Sequence, residues 1–269
     1  MIYLTGYKGN LGKFIYKSAD QKLNRINYNK VKGDRVYIGL ENLSNEDCII
    51  HAGATLKENI EEEIFVMNNY TSLLSIVNSC KNKGARLIFI SANSIGKNEF
   101  VANPENLRDK YTLLKYKCEQ YIQNNLPKNQ YFIIRLPGLY MKGKKSTAFL
   151  DKVFYSECIK FKINSFNKFN NLCLYSDAAD FIYKLALMKK FEGFIGSIAS
   201  TKPIYLKEII KYMIGIKPSL SNLIDFSNGL GNDDSVYDFS RAISLGYNPK
   251  PTEALINYLY GINTQTKLS

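Results

Sequence analysis

Residues 1–17 read MIYLTGYKGNLGKFIYK. Met1–Leu4 is a short apolar run suited to a buried strand, and Phe14-Ile15-Tyr16 opens a helical segment. Between them Thr5-Gly6-Tyr7-Lys8-Gly9-Asn10-Leu11-Gly12 places a glycine at every third position. A strand that turns sharply on glycine into a helix presents backbone N–H groups and the positive end of the helix dipole to an anion such as a pyrophosphate. Gly6 lets the chain turn, Gly9 lets backbone approach the ligand, and Gly12 lets the helix pack close to the strand. Tyr7, Lys8, Asn10 and Leu11 complete the binding turn. The spacing differs from G-x-G-x-x-G, and a glycine-bearing strand-to-helix turn without a ligand is the alternative reading.

The 269 residues, 45% of them hydrophobic, suffice for one large core or a core with a small annex. Strand-like and helix-like segments alternate, which favours an α/β fold with a doubly wound parallel sheet. The net charge of +12 comes from lysines scattered through every segment, as on a solvated basic surface or one that attracts an anionic small molecule. No motif for nucleic-acid recognition accompanies it. The five cysteines stand singly and read as reduced thiols of a cytoplasmic protein. His51 is the sole histidine, which argues against a histidine-based metal cluster or a Ser-His-Asp triad. Met1 opens directly into the first strand, so no signal peptide is expected, and no apolar run reaches the roughly 20 residues of a membrane span.

After the first helix, Arg25–Tyr28 and Arg35–Gly39 read as strands two and three. The second ends in Tyr28-Asn29-Lys30-Val31-Lys32 without an acid, which tilts the reading of a dinucleotide ligand from NAD towards NADP. Cys48–Ala54 is an apolar strand ending in small residues, with His51, Ala52 and Gly53 placed to pass beneath a ligand. Glu58–Lys83 carries helical periodicity, and Asn69 falls on its apolar side, where a buried amide needs partners. Support of a site and plain packing or capping are both open for it. Leu87–Ile90 is a buried strand followed by Ser91-Ala92-Asn93-Ser94-Ile95-Gly96 and a polar loop over 97–108. Small hydroxyl residues at the carboxyl end of a parallel strand can hold a substrate oxygen or merely satisfy a turn. Asp109 leads a helix in which Tyr111 and Lys115, four apart, share a face. A neighbouring ammonium favours phenolate, which suits a tyrosine general acid or base. Phe132–Leu136 is the next strand, broken at Pro137-Gly138. Then follow a strand at Leu172–Tyr175, a helix capped by Ser176-Asp177 and running through Leu187, a strand at Phe194–Ile198 and a helix at Tyr205–Ile214. A Gly/Asn/Asp loop spans Asn228–Asp234, a short helix starts at Asp238, and the last helix covers Thr252–Tyr260. Residues 262–269 read as a frayed tail.

Several motifs stand in the order found in one known family. The chain resembles the extended short-chain dehydrogenase/reductases, the nucleotide-sugar epimerase, dehydratase and reductase group. The resemblance rests on Thr5-Gly6-x-x-Gly9-x-x-Gly12, Ile50–Ala54, Asn69, Tyr111-x-x-x-Lys115 with Cys118-Glu119-Gln120, and Arg135–Tyr140. It extends to Tyr175–Ala179 and to Asp238–Ala242 with Leu245-Gly246-Tyr247-x-Pro249. It implies a Rossmann-type doubly wound sheet with a smaller C-terminal substrate-binding region. Residues 1–136 plus 172–198 would hold the dinucleotide, and 137–171 plus 199–261 a nucleotide-linked sugar. The cofactor, NADP or NAD, would lie on Gly6, Gly9 and Gly12. Tyr111 would exchange a proton with a sugar oxygen, and Lys115 would lower its pKa and bind the nicotinamide ribose. Where the family has a Ser or Thr after the strand, this chain has Ala92 or, counted back from Gly96, a place nearer Ser91. The orienting hydroxyl is then Ser91 or Ser94, or is absent. A glycine usual after Tyr140 is replaced by Met141-Lys142. Chain length favours reduction of a 4-keto sugar; the alternatives are a nucleotide-sugar epimerase with tightly held NAD and a non-catalytic dinucleotide-binding sensor. A homodimer is also implied.

Overall fold

Ile49-Ile50, Leu87-Ile88 and Ile133-Ile134 are adjacent apolar pairs within short runs, the pattern of strands covered on both faces. The computed structural model, which describes residues 1–31, 34–55, 60–96, 107, 109–228 and 236–261, builds its central sheet from these runs.

In chain order the first half contains β1 (Ile2–Thr5), α1 (Asn10–Ser18), β2 (Asn24–Arg25), β3 (Tyr28–Val31), β4 (Asp34–Tyr37) and β5 (Cys48–His51). It continues through α2 (Glu62–Val66), α3 (Ser72–Lys83), β6 (Arg86–Ala92), α4 (Lys110–Asn125) and β7 (Tyr131–Leu136). The second half holds β8 (Gly138–Tyr140), α5 (Phe149–Phe154), β9 (Phe161–Asn164), β10 (Lys168–Phe169), β11 (Leu172–Leu174) and α6 (Tyr175–Ala186). After these come β12 (Phe194–Ser197), β13 (Ile204–Tyr205), α7 (Leu206–Ile216), β14 (Ile224–Ser227), α8 (Ser240–Ser244) and α9 (Thr252–Tyr260).

The six-stranded sheet has the order β12-β7-β6-β5-β1-β2, and every pairing in it is parallel. This is the expected Rossmann-type α/β architecture. Strand alternation divides the adjacent pairs between two faces. Ile50, Ile88 and Ile134 join Ile15, Ala178, Ile182 and Leu185 of α1 and α6. Ile49, Leu87 and Ile133 join Leu73, Ile76 and Val77 of α3 and Cys118 and Ile122 of α4. A third core gathers Leu150, Val153, Ile163, Leu206, Ile210, Met213, Leu255 and Leu259 around α5, α7 and α9. Ala242 and Tyr247 return to the first core.

The chain order reverses between β1 and β5: β2 lies on one side of β1, and the later strands lie on the other. That reversal opens a crevice at the carboxyl ends of the strands, where open α/β sheets bind ligands.

Several expected elements are corrected. Arg25–Tyr28 is not one strand. Pairing with β1 ends at Arg25, and Tyr28–Val31 folds back antiparallel on Asp34–Tyr37 as a hairpin outside the central sheet. The helix expected over Glu58–Lys83 is interrupted: α2 and α3 flank a π-helical turn, Met67–Thr71. Ser176-Asp177 does not precede the sixth helix, which starts at Tyr175 directly from β11; Asp177 lies in its first turn and pairs with Lys250 at 2.9 Å. The polar loop over 97–108, apart from residue 107, residues 229–234 of the Gly/Asn/Asp loop, the tail 262–269, Lys32, Glu58 and Asn59 lie outside the described residues.

Candidate active site

The glycine turn joins β1 to α1 at the crevice. Gly6 has φ of +70°, in the left-handed region that only glycine enters freely, and a Cβ there would stand 2.5 Å from the Gly53 nitrogen. The turn therefore presses against the backbone after β5. A Cβ on Gly12 would stand 2.2 Å from the Gly6 carbonyl oxygen, so the start of α1 is drawn tightly onto the turn. The Gly9 N–H donates to Gly6 O at 2.9 Å, and the Gly9 carbonyl accepts from Lys13 N at 3.0 Å. No side chain caps α1, and its first turn carries no acid. The leading N–H groups of a helix have no partner within it, and Lys8, Gly9 and Asn10 are exposed. The cradle therefore fits an anion approached by backbone.

His51 lies beneath this turn. It is buried, its Nδ1 shares a 2.8 Å hydrogen bond with Thr5 Oγ1, and its ring stacks on Phe89 at 6.0 Å and meets Tyr37 edge-on. The following Ala52 and Gly53 are half-buried. Asn69 accounts for its burial through three hydrogen bonds. Its Oδ1 accepts from Thr55 N at 2.9 Å, and its Nδ2 donates to Thr55 O at 3.1 Å and to Phe65 O at 2.9 Å. It thus clamps the segment after β5 to the π-helical turn.

Asp109 caps α4 by accepting from Thr112 N at 2.8 Å. From this helix Lys115 reaches back to the sheet: Nζ donates to Ile90 O at 2.7 Å and lies 4.5 Å from the Phe89 ring centroid and 5.7 Å from that of Tyr111. Lys115, Phe89, His51 and Thr5 form one continuous series of contacts. It joins the Tyr111 helix to the glycine turn along the carboxyl edge of the sheet. Burial pulls the Lys115 ammonium down to about 8. Burial also pushes the Tyr111 phenol above its usual value, opposite to the lowering expected from a neighbouring lysine. Desolvation of the charged form is the main cause, Cys118 and Asp109 add to it, and the phenol is protonated at neutral pH.

The two serine hydroxyls are placed differently. Ser91 is buried and donates to Glu119 Oε1 at 2.6 Å. Glu119 also accepts from Arg135 Nε at 3.0 Å and Nη2 at 2.7 Å, an enclosed ion pair joining α4 to β7. Ser94 is exposed and shares a 2.6 Å hydrogen bond with Thr112 Oγ1, next to Tyr111. Ala92 is half-buried and contributes no hydroxyl. Sequence reasoning missed Thr112 and the grip of Glu119 on Ser91. The four-residue step from Lys115 to Glu119 places both on one helical face and is the signal that points to the second.

No protein-family model matches the chain, and no curated protein matches it by sequence. Solved structures match in fold over nearly its whole length. The UDP-N-acetylglucosamine 4-epimerase of Bacillus cereus is 18% identical with a TM-score of 0.65, the match covering 100% of this chain and 97% of that one. The dTDP-4-dehydrorhamnose reductase of Bacillus anthracis str. Ames, solved in complex with NADP, is 18% identical with a TM-score of 0.64 over 96% and 97%. The UDP-glucose 4-epimerase of Thermotoga maritima, solved with UDP-glucose, is 17% identical with a TM-score of 0.65 over 97% and 96%. The likeness establishes the Rossmann-type fold. Among the described residues no helix is long and apolar enough to cross a membrane.

Proposed function

We propose that the protein is an NAD(P)-dependent oxidoreductase of the extended short-chain dehydrogenase/reductase type that reduces a 4-keto group on a nucleotide-linked sugar. The observation that carries this reading is the placement of Tyr111 and Lys115 on the same sheet edge as the glycine cradle, linked through Phe89, His51 and Thr5. The structural neighbours, sugar-nucleotide epimerases and a reductase crystallised with NADP, support it. The dinucleotide fits the turn through Gly6, Gly9 and Gly12, with Tyr7, Lys8, Asn10 and Leu11 around the pyrophosphate and His51, Ala52, Gly53 and Asn69 shaping the next strand end. When bound it supplies the hydride. Tyr111, protonated at neutral pH, gives its phenolic proton to the carbonyl oxygen as that oxygen gains charge, and recovers a proton from solvent. Lys115, charged below about pH 8, stabilises the phenolate left behind and binds the nicotinamide ribose in this reading. Ser94, exposed and oriented by Thr112, polarises the carbonyl. Ser91, turned into the ion pair, holds the end of β6 in place.

Residues 1–136 plus 172–198 carry the dinucleotide in this reading. Residues 137–171 plus 199–261 carry the sugar nucleotide, with Ala242 and Tyr247 packed back on the first core. A cytoplasmic homodimer accompanies the reading, and sedimentation velocity tests the dimer. The epimerases among the neighbours favour one second reading, epimerisation with tightly held NAD. A panel of 4-keto nucleotide sugars with NADPH, followed by nicotinamide absorbance and product chromatography, separates the cases. Net NADPH consumption that matches sugar reduced supports the reductase. Stereoisomer exchange without net consumption identifies the epimerase, and dinucleotide binding without turnover of any sugar identifies a sensor.

A further inference from the structure

Among the described residues, Lys115 carries its charge without a counter-ion. Its side chain is buried, yet no carboxylate forms an ion pair with it. A buried ammonium normally needs a paired anion. Two groups on α4 favour its charged form, Cys118 and Glu119. Burial pushes the Cys118 thiol up to about 12, so it is neutral, and Glu119 is committed to Arg135 and Ser91. The contacts that the ammonium does make are the Ile90 carbonyl, which accepts at 2.7 Å, and the ring of Phe89, whose centroid lies 4.5 Å from Nζ. The Tyr111 ring stands further off, at 5.7 Å. Phe89 is fully buried. His51 is its cross-strand partner on β5, and the two rings lie 11° from parallel with centroids 6.0 Å apart. The ring beneath Lys115 is therefore fixed from the sheet side.

The face of an aromatic ring is negative and attracts a cation at this distance, most strongly where water is excluded. A ring differs from a carboxylate in a way that matters for Tyr111. A carboxylate beside Nζ would cancel much of the ammonium's field at the phenol. A ring has no net charge, so it favours the ammonium over the neutral amine and leaves that field in place. The Ile90 carbonyl takes one N–H, which leaves the other donors of the ammonium for a phenolate and a ribose hydroxyl. We propose that the face of Phe89 takes the place of an acidic partner, holding the Lys115 ammonium in its charged form beside Tyr111. Phe89 is a positioning residue and acts through Lys115. Its role rests on the Tyr111 and Lys115 reading above.

Replacing Phe89 with mono-, di- and trifluorophenylalanine in the full chain tests this. Fluorine drains negative charge from the ring face with little change of shape, so a purely structural role would leave the titration of Lys115 where it is. Heteronuclear NMR of the lysine Cε groups reads that titration, with Lys115→Met as the blank that assigns the resonance, and melting curves confirm that each protein folds. The midpoint should fall stepwise with fluorination, by about one pH unit at the trifluoro ring. The alkaline limb of NADPH oxidation should move with it. A midpoint that moves by less than about 0.3 pH unit across the series overturns the assignment. So does a shift that does not follow the number of fluorines. A stepwise fall in a protein that turns over no 4-keto nucleotide sugar keeps the hold of Phe89 on Lys115 and overturns the catalytic reading.

Discussion

Replacing Glu119 with methionine removes the shared acceptor of two buried groups at once. The carboxylate accepts from Ser91 Oγ at 2.6 Å and from Arg135 at 3.0 and 2.7 Å, and the Glu119 and Arg135 side chains are 1% and 3% exposed. Removing one partner of a buried ion pair costs about 3–5 kcal/mol. The Ser91 hydroxyl, left without its acceptor, adds about 1 kcal/mol. Removing both charges is a different experiment: methionines at 119 and 135 fill similar volume and leave no stranded ion, so the double variant should recover at least about half of the single variant's loss. Urea unfolding followed by far-UV circular dichroism reads both, since the chain has no tryptophan for a fluorescence probe. A Glu119→Met protein that loses less than about 1 kcal/mol refutes the reasoning. So does a double variant as unstable as the sum of the two singles.

Gly12→Ala puts a methyl 2.2 Å from the Gly6 carbonyl oxygen and 2.7 Å from Tyr7 Cα, so backbone must shift. It should cost about 1–3 kcal/mol and weaken dinucleotide binding, and unchanged melting and affinity would contradict the tight turn. Asn69→Leu removes three hydrogen bonds, and hydrogen exchange at the Thr55 amide should accelerate markedly; wild-type protection there would count against the clamp. Lys115 is held at about 8 in the folded protein against 10.5 for the ordinary side chain. Between those values the unfolded chain binds the extra proton, so this group's contribution to stability rises with pH across the window. Compared with Lys115→Met, the wild type should therefore gain stability from about pH 8 to about pH 10. A difference that is flat over this range contradicts a buried, depressed lysine.

The parallel sheet was readable because Ile49-Ile50, Leu87-Ile88 and Ile133-Ile134 must bury both faces, and only a doubly covered strand does so. The glycine turn was readable because Gly6 and Gly12 stand where a Cβ would strike backbone. The hairpin after β2 was not, since polar Tyr28–Val31 carries no pattern separating an edge hairpin from a short sheet strand. The π-helical turn was also hidden. Asn69 makes two of its three bonds only because Thr55 approaches in space, and periodicity along one helix cannot report that. Tyr111-x-x-x-Lys115 gave the spacing of the pair but not the balance between charge and burial. The phenol's upward shift depends on how tightly the surrounding elements close over it. The same applies to the serines: both lie near one strand end, and the partners Glu119 and Thr112 distinguish them.

The most direct test is the rate of NADPH oxidation by Tyr111→Phe against wild type, on whichever 4-keto nucleotide sugar the wild type reduces, with dinucleotide affinity measured on both proteins. Loss of the proton donor should lower turnover by about 10²–10⁴-fold while dinucleotide affinity is retained. Wild-type turnover in Tyr111→Phe would contradict the assignment of Tyr111 as the proton donor.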